Sequence, residues 1–209
     1  MNKIMTIEEI LNKIYNLYSS DFDSFNVSME RLGKKHNADI QKAFMLGSLR
    51  LIDAKRFLVD EFILANLLCY ISVETLSNTL EYFDETKGIK HTDFSINYKI
   101  ERNINKTQAF QKFLMNYSSS ESREQIIFKK EGMLASFEEA MRYLYLRNRC
   151  LVVHKGLFRT LDANESLGDV FIDEQGNNCS ISIEIIDANL TEWFFNLVKG
   201  SYLNFLNQN

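Results

Sequence analysis

Five residues with the chemistry to act on a phosphodiester crowd into one short stretch, Arg147-Asn148-Arg149-Cys150-Leu151-Val152-Val153-His154-Lys155-Gly156. Histidine is the side chain that gains and loses a proton near neutral pH, so His154 is a candidate general acid or base. Arginine keeps its charge and grips phosphate oxygens with a planar fork of donors, so Arg147 and Arg149 are candidate anion clamps. Asn148 can orient either group. On a continuous helix Arg147 and His154, seven apart, stack about two turns apart on one face. Tyr143, Leu146, Cys150, Val153 and Leu157 follow the i, i+3, i+4 spacing of a buried stripe, which leaves the polar set a face of its own. A structural account competes with this. Arginines in a last helical turn are favoured by the helix dipole, a histidine there can cap carbonyls, and Gly156 suits the position after a helix end.

The elements that must carry these residues read as helical. Proline is absent from the 209 residues, so nothing breaks long helices covalently. Thr6 with Glu9 three later is a capping box, followed by an apolar face of Ile7, Ile10, Leu11, Ile14 and Leu17 or Tyr18. A second helical region spans about 38–87, with a break expected near Gly47 or between Asp53 and Asp60, and an end at Gly88. Residues 88–104 read as a loop. Lys106 to Tyr117 reads as a short helix, and Ser118 to Ser122 as a polar break. The motif helix starts near Ser136, with Glu139 as a second capping box, and runs to about Lys155. A β-hairpin is expected over 169–185, with Val170, Phe171 and Ile172 facing Ile181, Ile183 and Ile185 across Gln175-Gly176-Asn177-Asn178. Asp187 or Asn189 then caps a final helix to about Phe205. The fold class expected is mainly α: one antiparallel helical bundle over residues 1–209, with a small C-terminal β-hairpin and core helices at about 60–87 and 136–155.

Composition limits the partners. The net charge is -4, so no global field draws the chain onto nucleic acid, and RNA would need a local basic patch. Arg142, Arg147, Arg149, Lys155 and Arg159 supply one. Glu74 lies inside an apolar run, where a carboxylate needs a partner, and Arg147 or Arg149 could provide it across the bundle. Cys69, Cys150 and Cys179 have no metal-ligand spacing and read as free thiols of a reducing compartment. The sequence has no phosphate-cradling glycine loop, no H-E-x-x-H and no G-x-S-x-G, so neither cofactor nor metal is expected. Glu8 and Glu9 disfavour a signal peptide. The run from Phe62 to Val73, interrupted by Asn66 and Ser72, is too short to span a bilayer. The expected location is cytoplasmic, with no membrane contact.

The motif segment resembles the signature of the HEPN superfamily, in which an arginine precedes a histidine by four to six residues near the end of a core helix. Arg149 and His154 enclose four residues and Arg147 and His154 enclose six. Val153-His154-Lys155-Gly156 is similar to the end of the family pattern. The departure is Cys150, where the family usually carries a polar residue after the arginine; Asn148 after Arg147 keeps that pattern. Leu67 to Leu80, with Glu74 at its centre, resembles the other core helix of such domains, and the likeness covers about residues 60–209. The resemblance implies a metal-independent endoribonuclease of the toxin or phage-defence kind, acting on RNA as a homodimer, with Arg149, His154, Arg147 and Asn148 catalytic. Lys155, Arg142 and Arg159 would bind RNA, and Glu74 would support the site. It equally admits a non-catalytic module for RNA, a nucleotide or a protein partner such as an antitoxin.

Overall fold

The computed structural model describes residues 6–18, 22–36, 38–85, 104–149, 167–172 and 178–209. Helix α1 (Ile7–Tyr18) begins on the expected capping box, with the Thr6 amide on Glu9 at 2.8 Å and the Glu9 amide on Thr6 Oγ1 at 3.2 Å. Its buried face is narrower than the periodicity predicts: Ile14, Leu17 and Tyr18 are buried, while Ile7 is 72% exposed. Helices α2 (Phe22–Lys35), α3 (Ala38–Phe57) and α4 (Phe62–Glu85) follow. The break between α3 and α4 falls at 58–61, at the end of the Asp53–Asp60 stretch where one was expected, and not at Gly47, which lies inside α3.

Gly47 is explained by its neighbour. A Cβ there would stand 2.0 Å from the Tyr202 hydroxyl and 3.1 Å from the Ser72 carbonyl. The glycine is a groove for a side chain from another helix, and the helix absorbs its poor propensity.

Helix α5 (Lys106–Tyr117) has the predicted bounds, with Asn105 accepting from the Gln108 amide at its N-cap. The serine break holds a five-residue helix, α6 (Ser120–Glu124), capped by Ser119. Strands β1 (Ile126–Lys130) and β2 (Met133–Leu134) then form a hairpin that sequence reasoning passed over. Its two turn residues, Glu131 and Gly132, have φ of 53° and 74°. Two positive φ values are what a tight right-twisted hairpin turn requires.

Helix α7 (Phe137–Leu144) opens on the second capping box, Ser136 with Glu139. A π-helical turn takes over from the α-helix at Tyr145–Arg149, and the rest of the expected helix, to about Lys155, lies outside the described residues. Strands β3 (Leu167–Ile172) and β4 (Asn178–Ile185) form the expected C-terminal hairpin, whose turn lies outside the described residues. The register differs from expectation. Val170 pairs with Ser180, Phe171 with Cys179 and Ile172 with Asn178, while Leu167 and Asp169 meet Ile183 and Ile181. β1 takes the other side of β4, so the hairpin is half of a four-stranded antiparallel sheet in the order β2-β1-β4-β3. Helix α8 (Leu190–Gln208) starts at the Asn189 cap and outlasts the expected end at Phe205.

The molecule is thus mainly α, a helical bundle with a small antiparallel sheet. α4 is its axis, packed against α3, α5, α8 and the π turn. Extended to Glu85, α4 is longer than the apolar run suggests. Among the described residues Phe62–Phe83 is the one stretch long and apolar enough to cross a membrane. One face of it goes into the bundle: Ala65, Cys69, Tyr70, Val73 and Leu76 are each at most 2% exposed. The expected loop at 88–104 lies outside the described residues except for its last residue.

Candidate functional site

Glu74 is where the sequence argument meets the structure. It sits midway along α4 with its side chain only 12% exposed, so its charge must be answered locally. Arg149 answers it. Nε lies 2.5 Å from Glu74 Oε1, and Nη2 donates to Oε2 at 2.9 Å. The arginine is itself 14% exposed, so this is an ion pair of the interior. Arg149, one of the two arginines expected to reach Glu74, does so.

Tyr145 completes the set. Its hydroxyl donates to Glu74 Oε1 at 2.6 Å, and the Arg149 guanidinium carbon stands 5.7 Å from its ring centroid. Both carboxylate oxygens therefore accept a short bond from a charged or acidic donor, the arrangement that makes a buried carboxylate tolerable. Tyr145 and Arg149 are four residues apart, as are Tyr70 and Glu74 on α4. Each pair lies on one face of its helix, and the two faces meet. Tyr70 is 2% exposed and its hydroxyl donates to the Leu144 carbonyl at 3.2 Å. Leu144 is the last residue of α7 before the π turn. Rings wall the cluster in: Phe110 lies 4.8 Å from Tyr145 and 5.7 Å from Tyr70, and Phe194 lies 4.6 Å from Tyr70.

The remaining motif residues are distributed as follows. Arg147 and Asn148 belong to the π turn by backbone, at the positions between Tyr145 and Arg149. Their side chains are not among the described atoms. His154, Lys155, Arg159 and Cys150 lie outside the described residues, as does the stripe from Cys150 to Leu157. Tyr143 and Leu146, its first members, are buried and half-buried respectively. Arg142 is exposed on α7. The structure therefore brings Glu74 and Arg149 together, and adds Tyr145 and Tyr70. A signal for these two existed: they are the tyrosines four residues before Glu74 and before Arg149.

Among the described residues no group of three His, Cys, Asp or Glu could hold a metal ion. Cys69 is a free, buried thiol, and burial pushes its pKa well above the ordinary range. Such a thiol is packing rather than a nucleophile.

Comparison with known proteins gives no relative: no family model, no curated protein and no solved structure matches this chain.

Proposed function

We propose that the protein is a metal-independent endoribonuclease of the HEPN type, with the motif that starts in the π turn as its active site. One observation carries the reading beyond the short sequence motif. The acidic residue of one core helix holds the arginine of the motif across the bundle, Glu74 to Arg149. A buried charge pair fixes register between two elements at a cost in desolvation, which makes it a device for positioning rather than for stability. π turns, too, recur at functional sites.

In this reading His154 moves the proton. The RNA 2′-OH loses its proton and its oxygen bonds to phosphorus. The bond from phosphorus to the 5′-oxygen breaks and that oxygen regains a proton, leaving a cyclic phosphate and a 5′-hydroxyl. Arg147, with Asn148, stabilises the charge that gathers on the phosphate. Arg149, already bound to Glu74, aligns them. Lys155, Arg142 and Arg159 hold the flanking backbone. Two protomers paired through the motif helix bring both sets of residues into one cleft, as a two-fold interface does. The setting is a cytoplasmic toxin or phage-defence effector, with an antitoxin or similar protein as regulator.

The engagement of Arg149 by Glu74 also favours a second reading. An arginine committed to an internal carboxylate has less to offer a phosphate, and Cys150 stands where the family has a polar residue. A non-catalytic module that binds RNA, a nucleotide or a protein partner uses the same fold. Cleavage of single-stranded RNA by purified protein in EDTA separates the two. The endonuclease cuts RNA, leaves DNA intact and loses activity in His154→Ala. No cleavage by the wild type, with RNA still bound, establishes the binding module instead.

A further inference from the structure

We infer that Tyr70, Glu74 and Tyr145 form a clamp that sets the backbone register of the motif, acting as positioning residues for the chemistry of the segment that follows; the catalytic half of this inference rests on the ribonuclease reading, the structural half does not. A π turn is a local defect. It spaces its hydrogen bonds five residues apart, forms worse bonds than the α-helix and survives where something outside the helix compensates. Here α7 changes from α to π at Leu144 and Tyr145. Three side-chain contacts converge on that junction, and all come from one turn of α4. The Tyr70 hydroxyl occupies the Leu144 carbonyl at 3.2 Å, the last acceptor before the change. Glu74 takes the Tyr145 hydroxyl at 2.6 Å, the first residue after it. Glu74 also takes Arg149 Nη2 at 2.9 Å, the last residue of the turn. The turn is thus held at its entry, its first residue and its last residue.

Packing makes the clamp rigid. Tyr70 and Tyr145 are each 2% exposed, and Leu144 is 1% exposed. The rings of Tyr70 and Tyr145 meet edge to face at 6.4 Å. Apolar packing alone would be satisfied by phenylalanine at both positions. The hydroxyls add nothing to it, yet each bonds a group of the junction. Slipping from π to α register shifts the later residues of the turn, Arg149 among them, by one position, about 100° around the axis and 1.5 Å along it. For a site that needs its groups within fractions of an ångström, such a slip moves them out of reach.

The test uses the full chain as wild type, Tyr70→Phe, Tyr145→Phe, Glu74→Gln and His154→Ala. Two quantities are read for each: amide hydrogen exchange of 144–150, and kcat and KM for a single-stranded RNA in EDTA. Thermal unfolding of each variant checks that it is folded. The clamp predicts at least tenfold faster exchange in 144–150 for Tyr70→Phe and Tyr145→Phe, with α3 and α8 amides unchanged. It predicts a fall in kcat of tenfold or more, with KM within about twofold, since binding of the flanking RNA is left intact. The double substitution Tyr70→Phe/Tyr145→Phe should lower kcat no further than the worse single, because both act on one register. Unchanged exchange in both tyrosine variants overturns the clamp, whatever the activity does. Faster exchange with unchanged kcat overturns its catalytic role. A wild type that cuts no RNA overturns the ribonuclease reading and the catalytic half with it, and the exchange result then decides the structural half alone. His154→Ala should abolish cleavage without altering exchange, which tells loss of chemistry from loss of register.

Discussion

Two polar clusters hang from α4, and they solve the burial of polar atoms in opposite ways. Around Ser72 and Gly47 every group is neutral. The Tyr202 hydroxyl donates to the Ser72 carbonyl at 2.5 Å, and the Tyr18 hydroxyl lies 3.0 Å from Ser48 Oγ, which donates to the Phe44 carbonyl at 2.7 Å. Tyr18 and Tyr202 stack at 6.4 Å, and Phe44 stands 5.4 Å from Tyr202. Two residues further along α4, Glu74 with Arg149 and Tyr145 buries a full charge pair. The neutral cluster ties α1, α3, α4 and α8 together within the bundle. The charged one ties α4 to the motif. Neutral groups tolerate small mispairings, as the Ser72 hydroxyl, which has no partner, shows. A buried charge pair carries a larger desolvation cost, so its geometry is the more tightly constrained of the two.

Substitutions that unbalance the charged cluster should therefore cost most. Glu74→Ala takes the shared carboxylate from the Arg149 guanidinium and the Tyr145 hydroxyl together. Loss of one partner of a buried pair costs about 3–5 kcal/mol, and at about 2–4 °C per kcal/mol for a chain of this size it should be plain in a thermal melt. Replacing the whole set, as Glu74→Met/Tyr145→Phe/Arg149→Met, should recover most of that loss while failing to restore function. A triple variant no more stable than Glu74→Ala would contradict the view that the pair serves position rather than stability.

In the neutral cluster the sharpest lesion is steric. Gly47→Ala drives a methyl group into the Tyr202 hydroxyl. Tyr202 is fully buried and cannot step aside, so the cost should approach the upper end for overpacking, about 3 kcal/mol, despite the better helix propensity of alanine. Gly47→Ala in a Tyr202→Phe background, where the hydroxyl is gone, should cost measurably less.

Tyr18→Phe should cost about 1 kcal/mol at neutral pH, since Ser48 keeps its bond to the Phe44 carbonyl. Its signature is in pH. Burial raises the Tyr18 pKa above 10.0, so the folded state holds the phenol protonated while the unfolded chain releases the proton. The stabilisation is complete below pH 10 or so and is lost as pH rises beyond it. Chemical denaturation from pH 8 to 11 should show a smaller alkaline loss in Tyr18→Phe than in the wild type. Smallest of all should be Ser72→Ala, which removes a buried hydroxyl that makes no bond: stability should hold within about 0.5 kcal/mol or rise slightly. A larger loss would mean that this hydroxyl has a partner in solution.

Much of the fold can be read from the chain alone because its signals are local. Three side-chain caps, Thr6, Ser136 and Asn189, begin helices where expected, and Lys106 to Tyr117 is bounded as predicted. Capping bonds span three residues, so the sequence carries both partners. The need of Glu74 for an arginine was legible for the same kind of reason: a charge in an apolar run is an unmet requirement wherever the chain goes. Which arginine, and which tyrosines join it, depended on how α4 meets the motif segment. The hairpin at β1 and β2 escaped sequence reasoning because its turn places Glu131 at positive φ, a poor local choice. That choice is supported from outside, where the Glu131 amide donates to the Ser180 carbonyl at 2.9 Å and the Ser180 amide donates back to the Glu131 carboxylate. Gly47 reads as a helix breaker in sequence and proves to be a seat for Tyr202. The π turn has no signature in the residues that form it, since Tyr, Leu, Arg and Asn all enter α-helices readily. Caps and periodicity are settled by neighbours in the chain, whereas register, close approach and helix defects follow from side chains that only the folded bundle brings together.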